Sequence, residues 1–148
     1  MKTSSVAQPK ILLVDDNRDG LLVRRLLLEE MGLEVQSASN GEEGLELYNR
    51  CAFEVIVTDY RMPLMDGVEL IRRIRLQDPE ARIVLVSGLV EPLGLTAENT
   101  GADAVIAKSS SEPIYLARSV KRLLNRGVAR KPMASHRRPI PPARVASR

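Results

Sequence analysis

The sequence has few of the residues that build secreted, membrane-spanning or base-stacking proteins. Its 148 residues include one cysteine, Cys51, which excludes an intrachain disulfide and a cysteine-based metal cage. Tryptophan is absent and only four residues are Phe or Tyr, which argues against an aromatic platform for single-stranded nucleic acid. No apolar run approaches the roughly 20 residues needed to span a bilayer, and residues 1–10 lack the apolar segment of a secretion signal. We therefore expect a cytoplasmic protein without a membrane span.

Charge is divided unevenly along the chain. Residues 127–148 contain six basic residues, no acidic ones and four of the nine prolines. The other 16 basic and 19 acidic residues give residues 1–126 a net charge of −3. Because a basic, Pro-rich segment without apolar periodicity is typical of disorder, we predict a disordered lead over 1–9, one folded domain over 10–126 and a disordered tail over 127–148. The tail either contacts an acidic partner, an anionic membrane surface or nucleic acid electrostatically, or is an inert extension.

Short apolar runs alternate with amphipathic segments across residues 10–126. Continuous apolar runs rich in Val and Ile are typical of strands buried on both faces of a parallel sheet. Such runs predict strands at 11–14, 53–58, 83–86 and 104–107, and a weaker one at 33–38. A helical segment follows each strand, the fourth of them weakened by Pro92 and Gly94. The alternation predicts an α/β fold of (βα)5 type, with a doubly wound parallel five-stranded sheet and right-handed crossovers.

Spacing and capping residues also predict the helix faces and ends. The first helix, over 18–31, is expected to turn its apolar residues to the core, namely Leu22, Val23, Leu26, Leu27 and Met31. Ser39 or Asn40 can cap the second helix and Asp66 the third. The last helix is expected to begin near Ser110–Pro113 and to run through Leu116, Val120, Leu123 and Leu124.

Polar side chains stand where the predicted strands end, which is where ligands bind in open α/β sheets. The set comprises Asp15 and Asp16 after the first strand, Asp59 at the end of the third, Ser87 after the fourth and Lys108 after the fifth. Each has a plain explanation alone: Asp16 could cap the first helix, Asp59 could start a turn, and Ser87 and Lys108 could be ordinary loop residues. Their common register at one edge of the sheet favours a shared site.

The chemistry of this set suits phosphoryl transfer. Three carboxylates in one pocket repel each other without a cation, and an oxygen-only site without His or Cys suits Mg²⁺. A carboxylate can itself attack phosphorus and form an aspartyl phosphate. The ammonium of Lys108 and the hydroxyl of Ser87 could then stabilise the transferred group.

The same residues resemble a known family. The motifs ILLVDDN over 11–17 and VIVTDYRMPLMDG over 55–67, with Ser87 and Lys108, resemble the receiver domain of bacterial two-component response regulators. The resemblance covers residues 10–126. It implies the flavodoxin-like receiver fold, with strand order 2-1-3-4-5.

The resemblance also implies a role for each acidic residue. Asp59 would accept a phosphoryl group from a sensor histidine kinase or a phosphotransfer protein. Asp16 would bind Mg²⁺ directly and Asp15 mainly through water, with Asp59 and the backbone carbonyl of Arg61 as further ligands. Ser87 and Lys108 would contact the phosphoryl group.

Two positions depart from the family pattern. The aromatic switch residue usually found three positions before the lysine is replaced by Val105, and the proline that usually follows the lysine is replaced by Ser109. Both departures weaken the expectation that an aromatic ring turns inward on phosphorylation.

We expect a single-domain response regulator rather than an enzyme. It would signal to a downstream protein through its fourth helix, fifth strand and fifth helix, because the 22-residue tail is too short for a DNA-binding domain. One alternative is a degenerate receiver that binds partners without phosphorylation. The other is an Asp-nucleophile phosphatase or phosphotransferase, although such enzymes place Asp-x-Asp after the first strand, where this chain has Asp15-Asp16-Asn17.

Overall fold

The computed structural model describes residues 7–134, apart from the side chains of residues 127–134. Five strands and six helices lie along this part of the chain and alternate, except that two short helices stand between the fourth and fifth strands. Their bounds are β1 Lys10–Val14, α1 Arg18–Glu30, β2 Glu34–Ala38, α2 Gly41–Arg50, β3 Val55–Asp59, α3 Gly67–Gln77, β4 Ile83–Ser87, α4 Val90–Leu93, α5 Ala97–Thr100, β5 Ala104–Ala107 and α6 Glu112–Ala134.

All five strands are parallel and lie in the order β2-β1-β3-β4-β5. This confirms the predicted fold class and strand order. Val14 pairs with Thr58, Asp59 with Val86, and Ser87 with Ala107, so the carboxyl ends of the strands form a continuous edge. The strand order reverses between β1 and β3, which is the point where a sheet of this kind leaves a crevice for ligands.

The sheet is buried on both faces, as its nearly continuous apolar strands require. Ile11 and Leu13 of β1 belong to a core with residues of α1 and α6, whereas Leu12 and Val14 belong to a core with residues of α2 and α3. Complete burial of such a side chain contributes about 1.5–3 kcal/mol. These two cores hold β1 and β3 rigidly and thereby fix the edge where their acidic residues stand.

The buried face of α1 agrees with the predicted one only in part. Leu27 and Met31 pack against the core, as predicted. Leu22, Val23 and Leu26 are more than half exposed, and the buried residues of the helix are Arg24 and Leu28. The helix carries apolar residues on two sides, so spacing alone does not identify the inward one. The side chain of Arg24 is buried, and it forms an ion pair with Glu112 of α6.

The fourth helical segment is two separate turns, α4 and α5, rather than one weak helix. Gly94 ends α4 in the left-handed conformation, with φ of 62°. Thr96 then caps α5 in a capping box with Asn99. The glycine and the new cap together explain why the predicted helix over 91–100 is interrupted.

The observed caps settle the open alternatives at two helices. Asn17, not Asp16, caps α1, accepting the backbone N–H of Gly20 at 2.8 Å. Asn40 rather than Ser39 caps α2, and Asp66 caps α3 as predicted. Asp16 therefore does not need its carboxylate for capping.

The last helix, α6, continues to Ala134, eight residues past the predicted domain end at 126. The division into a lead, a domain over 10–126 and a tail stays a prediction, although the helical backbone of α6 crosses the predicted boundary at 126. Ala129, Arg130 and Lys131 are strong helix formers, and basic residues near a helix C-terminus favour the helix dipole, so local propensity outweighs the nearby Pro132. Residues 135–148 of the predicted tail and 1–6 of the predicted lead lie outside the described residues.

Pro9, just before β1, is hydrogen-bonded to the neighbouring strand β2. The carbonyl of Pro9 accepts the N–H of Glu34 at 2.9 Å, which extends the pairing of β1 and β2 by one step into the predicted lead. None of the helices in the described part of the chain is long and apolar enough to cross a membrane.

Candidate functional site

Three carboxylates meet at the crevice between β1 and β3. Asp15 and Asp16 follow β1, Asp59 ends β3, and one oxygen of each lies within 4.8 Å of the others. Asp15 is 1 % exposed and Asp59 7 %, whereas Asp16 is exposed. The cluster is thus embedded at its base and open to solvent on the Asp16 side.

Asp59 is held at both of its carboxylate oxygens. Oδ1 accepts the N–H of Tyr60 at 2.8 Å, and Oδ2 accepts a proton of the Lys108 ammonium at 3.1 Å. Burial and the nearby Asp15 charge raise the pKa of Asp59, the contact with Lys108 lowers it, and the net pKa lies above the usual range for aspartate. Lys108 alone therefore does not offset the burial of Asp59 and the charge of Asp15, and a bound cation would further stabilise the ionised carboxylate.

Ser87 and Lys108 reach the same edge from β4 and β5. The N–H of Lys108 donates to the carbonyl of Ser87 at 3.0 Å, which joins the two strand ends. Ser87 is 1 % exposed, and its hydroxyl accepts the N–H of Leu89 at 2.9 Å. That bond uses an acceptor site of the hydroxyl, so Ser87 can still donate its proton to an oxygen of a bound group.

Two residues that the sequence analysis missed complete the base of the site. Arg24 of α1 pairs with Asp15 at 2.5 Å through Nη1 and with Glu112 of α6 at 2.7 Å through Nε. Burial lowers the pKa of the Arg24 guanidinium, but Glu112 and Asp15 outweigh that effect and raise it. The position of Arg24 in the sequence could have identified it. It lies three residues from Leu21 and four from Leu28, within the stripe of α1 that faces the core.

The loop from β3 to α3 passes close to Asp59. A Cβ at position 67 would lie 2.2 Å from the carbonyl oxygen of Asp59, so only glycine allows this approach. The N–H of Gly67 also donates to the carbonyl of Tyr60 at 2.7 Å. Arg61 lies in this loop with its side chain exposed, and its carbonyl as a metal ligand stays a prediction.

Val105 lies on β5, beside the acidic edge but outside the cluster. It is half-buried and lines a cavity of about 610 Å³ together with Leu95 and Tyr115. Residues of α4, α5, β5 and α6 line this groove.

Comparison with known proteins identifies the family. The family model described as the response regulator receiver domain matches residues 11–119. The chain belongs to this family. A response regulator receiver protein from Anaeromyxobacter sp. strain Fw109-5 is 38 % identical over 108 residues, covering 72 % of this chain and 45 % of that protein. The response regulator receiver protein CpdR from Brucella abortus is 36 % identical over 111 residues, covering 72 % and 87 %.

Other curated relatives are much longer than the chain. The match to the virulence sensor protein BvgS of Bordetella bronchiseptica covers 5 % of that protein, at 42 % identity over 66 residues. The chain thus spans less than half the length of several relatives it matches.

Solved receivers share the fold. The CheY-like response regulator receiver domain protein from Methanospirillum hungatei superposes with a TM-score of 0.75 at 29 % identity, covering 83 % of this chain and 98 % of that one. The response regulator TrrA from Thermotoga maritima, solved in complex with Mg²⁺–BeF, gives a TM-score of 0.68 at 30 % identity, covering 79 % and 100 %.

Membership of this receiver family connects the acidic cluster with two-component signalling. Receiver domains interact with histidine kinases, act in phosphorelays and bind Mg²⁺ at an acidic pocket. The three carboxylates described here fit that ion, because they offer hard oxygen ligands close together. Receiver domains are typically signal transducers rather than enzymes.

Proposed function

We propose that the chain is a cytoplasmic, free-standing receiver that accepts a phosphoryl group on Asp59 from a histidine kinase or a phosphotransfer protein. The observation that carries the proposal is the position of Asp59. Its buried carboxylate lies 3.1 Å from the Lys108 ammonium and within 4.8 Å of the carboxylates of Asp15 and Asp16. The Brucella receiver protein, of which the match covers 87 %, supports the free-standing arrangement.

The transfer step requires an accessible nucleophile and neutralised charge. One carboxylate oxygen of Asp59 attacks the phosphorus of a phosphohistidine, a P–O bond forms, and the P–N bond breaks with its electron pair left on the imidazole nitrogen. The incoming group brings negative charge beside two other carboxylates. Lys108 reduces the resulting repulsion, and the Ser87 hydroxyl donates to a phosphoryl oxygen.

The acidic cluster is the proposed Mg²⁺ site. Asp15, Asp16, Asp59 and the backbone carbonyl of Arg61 would hold the ion, with Asp15 acting mainly through water. A bound Mg²⁺ supplies positive charge and orientation for the phosphoryl oxygens. The Mg²⁺–BeF complex of the related TrrA supports this assignment.

We propose an output surface formed by α4, α5, β5 and α6. Support comes from α4 and α5, each a four-residue turn, which offer an element of low stability for phosphorylation to bias. Val105 has no ring to move, so the rearrangement is expected to be small. Amide chemical-shift changes on phosphorylation should extend through residues 87–124, and changes confined to the loop after Asp59 would contradict this output surface.

Two other functions compete with this proposal. A phosphorylation-independent binding module is favoured by Val105 and by the groove beside it, because the usual switch side chain is missing. An Asp-nucleophile phosphatase would share the cluster but would turn over small phosphate esters. We propose that the chain has no such turnover, and an assay with excess p-nitrophenyl phosphate checks this.

Intact-mass analysis after incubation with acetyl phosphate and Mg²⁺ tests the proposed function. The wild-type protein should gain one phosphoryl group, and Asp59→Asn should gain none. Asp19→Asn is the matched control, because Asp19 is an exposed aspartate in the first turn of α1, outside the cluster. It should be modified like the wild type.

The result is interpretable in either direction. Equal modification of Asp59→Asn and the wild type would exclude Asp59 as the acceptor. A wild-type protein that takes up no phosphoryl group from acetyl phosphate or from a phosphorylated kinase, yet binds a partner, would favour the phosphorylation-independent module.

A further inference from the structure

The Arg24 guanidinium is buried between two carboxylates that belong to different parts of the fold. Its Nη1 lies 2.5 Å from Oδ2 of Asp15 at the metal cluster, and its Nε lies 2.7 Å from Oε2 of Glu112 in the first turn of α6. The side chains of Arg24, Asp15 and Glu112 are 8 %, 1 % and 12 % exposed. Water therefore screens these ion pairs much less than it would screen pairs on the surface.

The surrounding backbone leaves room for this arrangement. A Cβ at position 20 would lie 2.7 Å from Oδ2 of Asp15 and 2.8 Å from Nη1 of Arg24. Gly20 stands inside α1, where glycine is unfavourable, yet it creates the space in which the two side chains meet. Oδ1 of Asp15 accepts the N–H of Asn17 at 2.9 Å, so both oxygens of this carboxylate are held.

These contacts make Arg24 part of the charge balance of the cluster. A cation beside Asp15 offsets the repulsion among the three carboxylates when no metal is bound. The same cation repels an incoming Mg²⁺ and competes with it for Asp15. Glu112 counteracts that repulsion, because its negative charge lies on the other side of the guanidinium.

We propose that Arg24 is a positioning residue that sets the Mg²⁺ affinity of the cluster and links the cluster to the first turn of α6 through Glu112. This inference rests on the proposed function of the site. Coupling of this kind is reciprocal, so a bound ion that draws Asp15 away from Arg24 also changes the hold of Arg24 on Glu112. Arg24 thus contacts both the metal site, through Asp15, and the first turn of α6, through Glu112.

Mg²⁺ titrations followed by amide chemical shifts test the inference without measuring phosphorylation. Arg24→Met should bind Mg²⁺ more tightly, and Glu112→Gln should bind it more weakly, each by about threefold or more for a charge change at this range. Arg24→Lys keeps the charge but cannot span both carboxylates, so a further Glu112→Gln change should weaken Mg²⁺ binding less in that background than in the wild type. Glu69→Gln, which removes an exposed carboxylate paired with Arg72 and Arg73, is the matched control and should leave the affinity unchanged.

The outcomes separate this inference from the function on which it rests. If Arg24→Met does not fold, Glu112→Gln in the wild-type and Arg24→Lys backgrounds still measures the coupling. Dissociation constants that are the same in the wild type, Arg24→Met and Glu112→Gln would overturn the inference and leave Arg24 a purely structural ion pair. A wild-type protein that binds no Mg²⁺ at millimolar concentration would instead overturn the proposed function.

Discussion

Asp59 carries an electrostatic cost in the metal-free protein, because its carboxylate is buried within 4.8 Å of Asp15 and Asp16. At that distance and an effective dielectric constant of about 20, two like charges repel by roughly 3 kcal/mol, which the contact with Lys108 partly offsets. Burial and the Asp15 charge together outweigh the contact with Lys108 and hold the pKa of Asp59 above its usual range. Asp59→Asn should therefore stabilise the metal-free protein by about 1 kcal/mol, a rise of a few degrees in the melting temperature.

Thermal melts with and without Mg²⁺ check this prediction. Millimolar Mg²⁺ should raise the melting temperature of the wild type and should affect Asp59→Asn less, because the variant offers one carboxylate fewer. Asp19→Asn serves as the control. A lower melting temperature for metal-free Asp59→Asn than for metal-free wild type would contradict the repulsion argument.

The surroundings of Asp103 favour its ionised form, whereas those of Asp59 disfavour it. Its Oδ2 accepts the N–H of Ile83 at 2.8 Å and pairs with Arg75 at 3.1 Å, and its Oδ1 pairs with Arg126 at 2.9 Å. Burial raises the pKa of Asp103, but the hydrogen bonds from Ile83, Arg126 and Arg75 outweigh it and lower the pKa below its usual range. The ionised side chain therefore stabilises the start of β5 at neutral pH.

Asp103→Asn should lower the free energy of unfolding by about 1–3 kcal/mol at pH 7, as expected for hydrogen bonds to a charged group. Because the folded-state pKa is depressed, the wild-type advantage is complete above the usual aspartate pKa of about 4 and is lost as pH falls through the lower folded-state value. Urea unfolding of both proteins from pH 7 to pH 3 measures this. A difference in stability that stays constant over that range would show that the charge of Asp103 is not involved.

At the level of elements, the loop between β3 and α3 depends on the absence of a side chain at Gly67. A Cβ there would collide with the Asp59 carbonyl at 2.2 Å, and both groups belong to backbone that the sheet and α3 hold in place. Gly67→Ala should destabilise the protein by at least 2–3 kcal/mol and displace Asp59 from the cluster. Urea unfolding and the Mg²⁺ titration both report this change.

Gly88 provides the matched control for that substitution. A Cβ at position 88 meets nothing within 4 Å, so Gly88→Ala should change the unfolding free energy by less than about 1 kcal/mol. A Gly67→Ala protein as stable as Gly88→Ala would mean that the loop shifts easily and that the close approach does not fix Asp59.

The elements also show how far the sequence alone predicts the structure. The strands and the positions of Asp15, Asp59 and Ser87 at their ends follow from apolar runs and motifs whose residues are adjacent in sequence, whereas the strand order came from the family resemblance. The inward face of α1 did not follow, because Arg24 is polar and its partner Glu112 lies 88 residues away. Gly94 was visible in the sequence as a weak point of the helix, but the new cap at Thr96 that starts α5 was not predicted.

For the whole molecule, the apolar contacts that the structure describes in α6 come from its first half. Among residues 112–126, the part of α6 whose side chains are described, those buried in the core are Leu116, Val120 and Leu123. Deletion of residues 127–148 should therefore leave the melting temperature within a few degrees of the full chain and leave phosphorylation of Asp59 intact. Any affinity that this basic segment confers for an acidic partner should fall steeply with added salt.

Circular-dichroism melts and the acetyl phosphate reaction on the truncated chain test this prediction, with truncation after Ala134 as a second variant that keeps all of α6. A truncated protein that unfolds or no longer accepts phosphate would show that residues beyond 126 belong to the folded domain. Loss confined to the shorter variant would assign that role to residues 127–134.

The central claim is that Asp59 carries the phosphoryl group as an acyl phosphate, and borohydride reduction tests it most directly. Reduction converts an aspartyl phosphate to homoserine, so peptide mapping of the full chain after reaction with acetyl phosphate and Mg²⁺ identifies the modified residue. The account predicts homoserine at position 59, none in Asp59→Asn, and loss of the signal when Mg²⁺ is chelated. Homoserine at another position, or a stable modification that borohydride does not convert, would contradict it.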